Sequence, residues 1–147
     1  MKALVYTGKD SLEMQDRAVP SVQAPSDAIV KMKHSTICGS DLHILKGDVP
    51  SVKFGRVLGH EGVGSIVGTG SAVPQDAFSP GDTVLISCIS TCGVCPSCRK
   101  GMGSHCTSGG WLLGNEIDGT QAEYGMIINR QIFATLLITN MYIMNDV

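Results

Sequence analysis

Apolar residues in this chain fall into short runs and short alternations, and glycine or proline interrupts nearly all of them. KALVY, from Lys2, and SLEMQD, from Ser11, read as two short strands joined at Gly8. AIVKMKHSTIC, Ala28 to Cys38, alternates in part and carries several β-branched residues, so it reads as a third strand. Ser40 then reads as the cap of a short helix, DLHILKG, closed by Gly47. Gly62 to Val73 is a glycine-punctuated strand that must bend or lie close to other backbone. PGDTVLI, Pro80 to Ile86, is a turn followed by a strand, and TQAEYGMII opens another. No internal repeat is evident. Several short strands with few helices predict a mainly β fold, a small and partly open β-barrel.

Size and charge narrow the class. A chain of 147 residues buries about 70 % of its unfolded surface, enough for one core. Formal net charge is −2 and charged residues make up 16 %; no basic block is present, which argues against nucleic acid as a partner. The N-terminal residues lack the apolar core of a signal peptide, so a cytoplasmic address, where thiols stay reduced, is the expectation. From Gly125 the composition changes to Ile, Met, Asn and Thr. Asn129, Arg130, Gln131 and Asn140 interrupt that segment, and a membrane span needs about twenty apolar residues, so no membrane partner is expected. IFATLLI within it reads as β-prone and aggregation-prone. The division expected is therefore 1–125 as the folded domain and 126–147 as an atypical tail. That tail reads as translated non-coding message, with a real extra strand closing the barrel as the alternative.

Cysteine is concentrated in one place. Five of the six cysteines lie between Cys88 and Cys106. Cys92, Cys95 and Cys98 follow a C-x2-C-x2-C pattern, and Cys106 comes after a short gap. Disulfides, free thiols or an iron–sulfur cluster could use these residues. Close C-x2-C spacing on a turn-rich loop in a reducing compartment better suits one tetrahedral Zn²⁺, with Zn–S distances of about 2.3 Å. Gly93, Pro96, Gly101 and Gly103 let the backbone wrap that tightly. Arg99 and Lys100 either soften the charge of four thiolates or are simply solvated. Metal binding would supply much of the loop's folding energy, on the order of 10 kcal/mol in zinc-dependent modules. Cys88 falls outside the spacing and reads as a buried thiol in a strand.

Two further stretches carry candidate chemistry: CGSDLH, with Cys38, Ser40 and His43, and GHEGVGSIVGTGSAV, with His60 and Glu61. Each alone is weak, since single Cys and His residues are usually structural. Together Cys38 and His60 offer one soft and one borderline ligand, the mix of catalytic zinc sites that keep an open position.

Gly59-His60-Glu61, with Gly64, Gly70 and Val73 at these spacings, resembles the zinc signature of the medium-chain alcohol dehydrogenases. CGSDLH before it and the four-cysteine loop after it complete that family's order, and the likeness spans roughly residues 1 to 125. The resemblance implies a GroES-like, partly open β-barrel with a few short helices and a zinc-binding loop, normally followed by a dinucleotide-binding domain. It implies oxidation of a small alcohol, or reduction of the carbonyl, by hydride transfer with NAD or NADP. Cys38 and His60 would hold the catalytic zinc, with Glu61 as an alternative ligand or neighbour. Cys92, Cys95, Cys98 and Cys106 would hold a structural zinc. Ser40 would take the substrate hydroxyl's proton and pass it toward His43, unless Ser40 is only a helix cap. Family members form oligomers.

There are departures as well. No G-x-G-x-x-G follows a strand and opens a helix, so dinucleotide binding in the family's usual way is not expected of this stretch. The family's third catalytic-zinc ligand is Cys or Asp from just beyond this region; Asp146 in MNDV is near the expected distance, in sequence unlike the family's. A catalytically silent zinc-binding fragment is therefore the competing reading, and a zinc-finger-like interaction module a weaker third. GGWLLG and DGTQAEY are more similar to simple alcohol dehydrogenases than to relatives acting on polyols, threonine or formaldehyde.

Overall fold

The computed structural model of the protein describes residues 1–128 and 132–134. Strand β1 (Lys2–Gly8) pairs antiparallel with β2 (Ser11–Asp16), from Lys2 opposite Asp16 to Tyr6 opposite Leu12. The turn is Lys9-Asp10 rather than Gly8. Asp10 takes a left-handed φ of 57°, a region where Asp is enriched among non-glycine residues. Its N–H donates to the Leu45 carbonyl at 2.7 Å, tying the hairpin to a helix end. β4 (Arg56–Val57) covers the other side of β1, completing a three-stranded sheet ordered β2-β1-β4. β3 (Ala28–Ser35), β5 (Gly62–Thr69), β6 (Thr83–Ile86), β7 (Tyr124–Ile127) and β8 (Ile132–Ala134) form a second sheet ordered β7-β3-β5-β6-β8. All its pairings are antiparallel. Helices α1 (Gly39–Lys46) and α2 (Pro96–Arg99), with a 3-10 turn at Gly103–His105, complete the described elements. The fold is mainly β with sheets that do not close, as expected.

β3 stops at Ser35, short of Cys38, because the chain turns there into α1. Its alternation is only partial for a physical reason. The register against β5 shifts between Ile29 and Val30, and again between Met32 and His34, and such bulges re-aim side chains. Ala28, Ile29 and Val30 are therefore all buried in succession. Ala28, Val30, Ile66, Val84, Ile86, Leu113 and Ile127 form the main core between the sheet and the 113–117 turn. Each such aliphatic side chain larger than alanine contributes about 2 kcal/mol when fully buried. A second cluster joins Tyr6, Ile44, Val52 and Leu58, with Trp111 packed against it; it seats α1 on the hairpin sheet.

Strand pairing continues past residue 125. β7 runs to Ile127, and β8 lies against β6 with Ile86 opposite Ile132. The rest of the 126–147 segment, including Asp146 and most of IFATLLI, lies outside the described residues. No helix among the described residues is long and apolar enough to cross a membrane.

Candidate metal centres

The four-cysteine loop leaves β6 and returns to the body at Ser90 and Gly110, which exchange two backbone hydrogen bonds of 2.8 Å. Above that clasp the sulfurs of Cys92, Cys95, Cys98 and Cys106 lie within 4.8 Å of one another. Backbone N–H groups point at sulfur: Cys92 N–H to Cys106 Sγ at 3.3 Å, and Cys95 N–H to Cys92 Sγ and Cys98 N–H to Cys95 Sγ, each at 3.4 Å. Cys95 caps α2, with Pro96 in its first turn, where proline's missing N–H costs nothing. These donors favour thiolate. The Val94 N–H, then the Cys95 N–H, hold the Cys92 thiol below its ordinary range. The Cys98 N–H, then Thr107, bring Cys95 down to about 5. Cys98 is pushed up to about 11, first by burial and then by the neighbouring cysteines against the Gly93 N–H. Four sulfurs held this close, with peptide donors aimed at them, fit a tetrahedral thiolate-binding ion such as zinc. Arg99 and Lys100 are both exposed. Cys88 differs from expectation: it lies past the end of β6 and is half-buried, lining a cavity of about 410 Å³ with Glu61, Thr36 and Val63.

The second group is assembled from distant segments. Cys38, His60 and Glu61 bring their ligand atoms within 4.8 Å of one another. Cys38 is the N-cap of α1, and the Asp41 carboxylate accepts the Cys38 N–H at 2.8 Å. The cap is thus Cys38 with Asp41, not Ser40, which sits inside the first turn; Asp three residues after the cap completes the box. Asp41 is 5 % exposed, and its Oδ2 also accepts from Gln121 Nε2 at 3.2 Å. Gln121 Nε2 donates as well to the Thr36 carbonyl at 3.0 Å, bracing the turn before Cys38. Ser40 Oγ lies 3.8 Å from Cys38 Sγ. His43 is exposed and pairs through Nδ1 with Asp48 Oδ2 at 3.1 Å; no hydrogen bond joins it to Ser40.

His60 follows Gly59, whose φ of +93° suits glycine, and the space beside it is filled. A Cβ there would meet Thr120 Oγ1 at 2.6 Å, while one on Gly119 would stand 2.0 Å from the Gly59 carbonyl. The two strips are this close because Gly119, Thr120 and Gln121 donate backbone hydrogen bonds to Val57, Gly59 and Leu58. Thr120 Oγ1 donates to the Glu61 carbonyl at 2.8 Å, and Thr36 Oγ1 donates to Glu61 Oε2 at 2.9 Å. The other carboxylate oxygen lies 3.6 Å from His60 Nε2. His60 Nδ1 and Asp41 Oδ1 are buried without hydrogen-bond partners among the described residues. One thiol, one imidazole and one carboxylate fit the mixed donor set of a catalytic zinc. Sequence reasoning singled out the three donors but missed Thr36, Asp41, Trp111, Thr120 and Gln121. Asp41 carried a signal, an acid three residues after a cap; Thr120 and Gln121, supported from far along the chain, carried none.

These features sit in a recognisable relationship to known proteins. The profile of the alcohol dehydrogenase GroES-like domain matches residues 24–136. The chain is 39 % identical over 124 residues to the medium-chain reductase/dehydrogenase ucsI of an Acremonium species, which covers 84 % of this chain and 42 % of the relative. It overlays zinc-dependent alcohol dehydrogenase 2 from Streptococcus pneumonia with a TM-score of 0.83 and 42 % identity, covering 91 % of this chain and 38 % of the other. Alcohol dehydrogenase TADH from Thermus sp. ATN1 overlays with a TM-score of 0.78 and 36 % identity, covering 87 % of this chain and 37 % of the other. The protein belongs to the alcohol dehydrogenase GroES-like domain family. It spans less than half the length of these relatives.

Proposed function

We propose that this chain supplies the zinc-binding catalytic part of an alcohol dehydrogenase-type oxidoreductase, acting on a small alcohol or carbonyl compound with NAD or NADP. The observation that carries this is the convergence of Cys38, His60 and Glu61 in one group, separate from the four-cysteine group. Cys38 and His60 are the residues that would hold the catalytic zinc, with Glu61 alongside, and Cys92, Cys95, Cys98 and Cys106 those that would hold the structural one. Bound there, zinc would supply Lewis acidity toward an alcohol oxygen, with a nicotinamide as the acceptor of hydride. Ser40 Oγ, 3.8 Å from Cys38 Sγ, is where a proton from a substrate hydroxyl would be received. His43 stands three residues on along α1, on the neighbouring part of the same helix face. Its pairing with exposed Asp48 gives a proton an outlet to solvent. The Glu61 carboxylate, held by Thr36, keeps its second oxygen beside His60. A reducing, cytoplasmic setting keeps all these thiols available for metal.

The four-cysteine group by itself would equally serve a second reading, a zinc-binding chain without catalysis. Purification, zinc counting and an assay of alcohol oxidation with NAD or NADP separate the two. Two zinc ions with turnover establish the enzyme; metal without turnover establishes the silent form; no metal overturns both. For residues 126–147, pairing of β8 with β6 supports a genuine strand in the first part over translated non-coding message. Transcript sequencing decides between them: a splice signal near Gly125 would restore the latter.

A further inference from the structure

We infer that Trp111 is the positioning residue that fixes the His60 imidazole in the Cys38–His60–Glu61 group, an inference that rests on that group holding a metal. A histidine that binds metal usually donates its other ring N–H to a carboxylate or carbonyl, which sets the ring's orientation. Among the described residues His60 has no such contact. It is 6 % exposed, and its Nδ1 is buried without a hydrogen-bond partner. The Glu61 oxygen beside Nε2 lies at 3.6 Å, too far for a hydrogen bond. What faces the ring instead is the indole of Trp111, with centroids 5.7 Å apart and planes at 72°. Edge-to-face packing at this separation is a favoured aromatic geometry.

The indole is itself held. Its Nε1 donates to the Leu113 carbonyl at 2.9 Å, and the Trp111 carbonyl accepts from Asn115 Nδ2 at 3.3 Å. Its apolar surface packs on the cluster that contains Ile44 of α1, the helix that Cys38 begins. One anchored side chain therefore references the imidazole to the element carrying the thiolate. The chain has one tryptophan, so tryptophan fluorescence reports on this side chain alone.

The test titrates Co²⁺ into the full metal-free chain and into its Trp111→Leu and Trp111→Phe variants. Ligand-field absorption, tryptophan quenching in the wild type and metal count are followed, with the four-cysteine site as internal control. In the wild type, filling the second site quenches the tryptophan. Trp111→Leu weakens that site about tenfold, the scale of lost outer-sphere support, and shifts its ligand-field bands. The four-cysteine site is unchanged, and Trp111→Phe, which keeps an aromatic edge, recovers most of the loss. A leucine variant that binds Co²⁺ like the wild type, or a phenylalanine variant as weak as the leucine one, overturns the inference. Uptake of only one Co²⁺ by the wild type overturns the underlying functional reading, and this inference with it.

Discussion

Cys92, Cys95, Cys98 and Cys106 come from a single loop, and the peptide donors that favour their thiolates come from the same loop. Cys38 and His60 come from different elements, and Asp41, Thr120, Gln121 and Trp111 around them reach across most of the chain. The loop is a local object built from residues close in sequence; the second centre is a tertiary object whose geometry depends on the fold. Damage should therefore travel differently from each.

The largest effect expected is from metal removal. Chelation takes from the loop a binding energy on the order of 10 kcal/mol. Amides between Ser90 and Gly110 should lose hydrogen-exchange protection while those of β3 and β5 keep theirs. Simultaneous exchange throughout would break the comparison. Next is Gly119→Val, which drives a side chain into the Gly59 carbonyl. A loss of about 3 kcal/mol is expected, read by thermal denaturation, with metal lost from the Cys38–His60 centre and retained in the loop. An unchanged metal count would show that the 57–59 and 119–121 strips do not set that centre.

The same contrast explains what could be read in advance. The C-x2-C spacing exposes a local site directly, and Cys38, His60 and Glu61 were legible as donor types at characteristic spacings. Helix α1 and its Gly47 stop were legible because Gly47 takes a left-handed φ of 83°. Its cap is Cys38 with Asp41 rather than Ser40, which the pattern favours because serine is the commoner capping residue. The bulges in β3, the two-residue β4 and the clasp at Thr120 and Gln121 depend on partners far away in the chain, and no period or spacing encodes them.

Smaller perturbations sharpen the comparison. Asp41→Ala removes the acceptor for the Cys38 N–H and for Gln121. It should cost about 1 kcal/mol as a lost cap, with weaker metal at Cys38 and none lost from the loop; Asp41→Asn, which keeps an oxygen acceptor, should recover most of it. Loss of equal metal from both centres would contradict the separation. The smallest effect is at the Lys2–Asp16 pair at the edge of the hairpin sheet, 2.7 Å apart and exposed. Lys2 holds the Asp16 carboxyl below its usual value, by hydrogen bond and then by charge. Its contribution is present above the ordinary aspartate range and is lost as pH falls through the depressed value. Because the pair is in solvent, acid unfolding of Lys2→Ala should nearly overlay that of the wild type. A clear displacement would show the hairpin to be coupled to the rest.

Backbone bonds from Gly119, Thr120 and Gln121 to Val57, Leu58 and Gly59 have a consequence for biosynthesis. On the ribosome the chain emerges from its N-terminus, and Cys106 clears the exit tunnel while Gln121 is still inside it. The sulfur-rich loop can then capture an ion co-translationally. The imidazole of His60 has to await the last strip of backbone that seats it, so under the proposed function an ion in the loop should be acquired before one at Cys38 and His60.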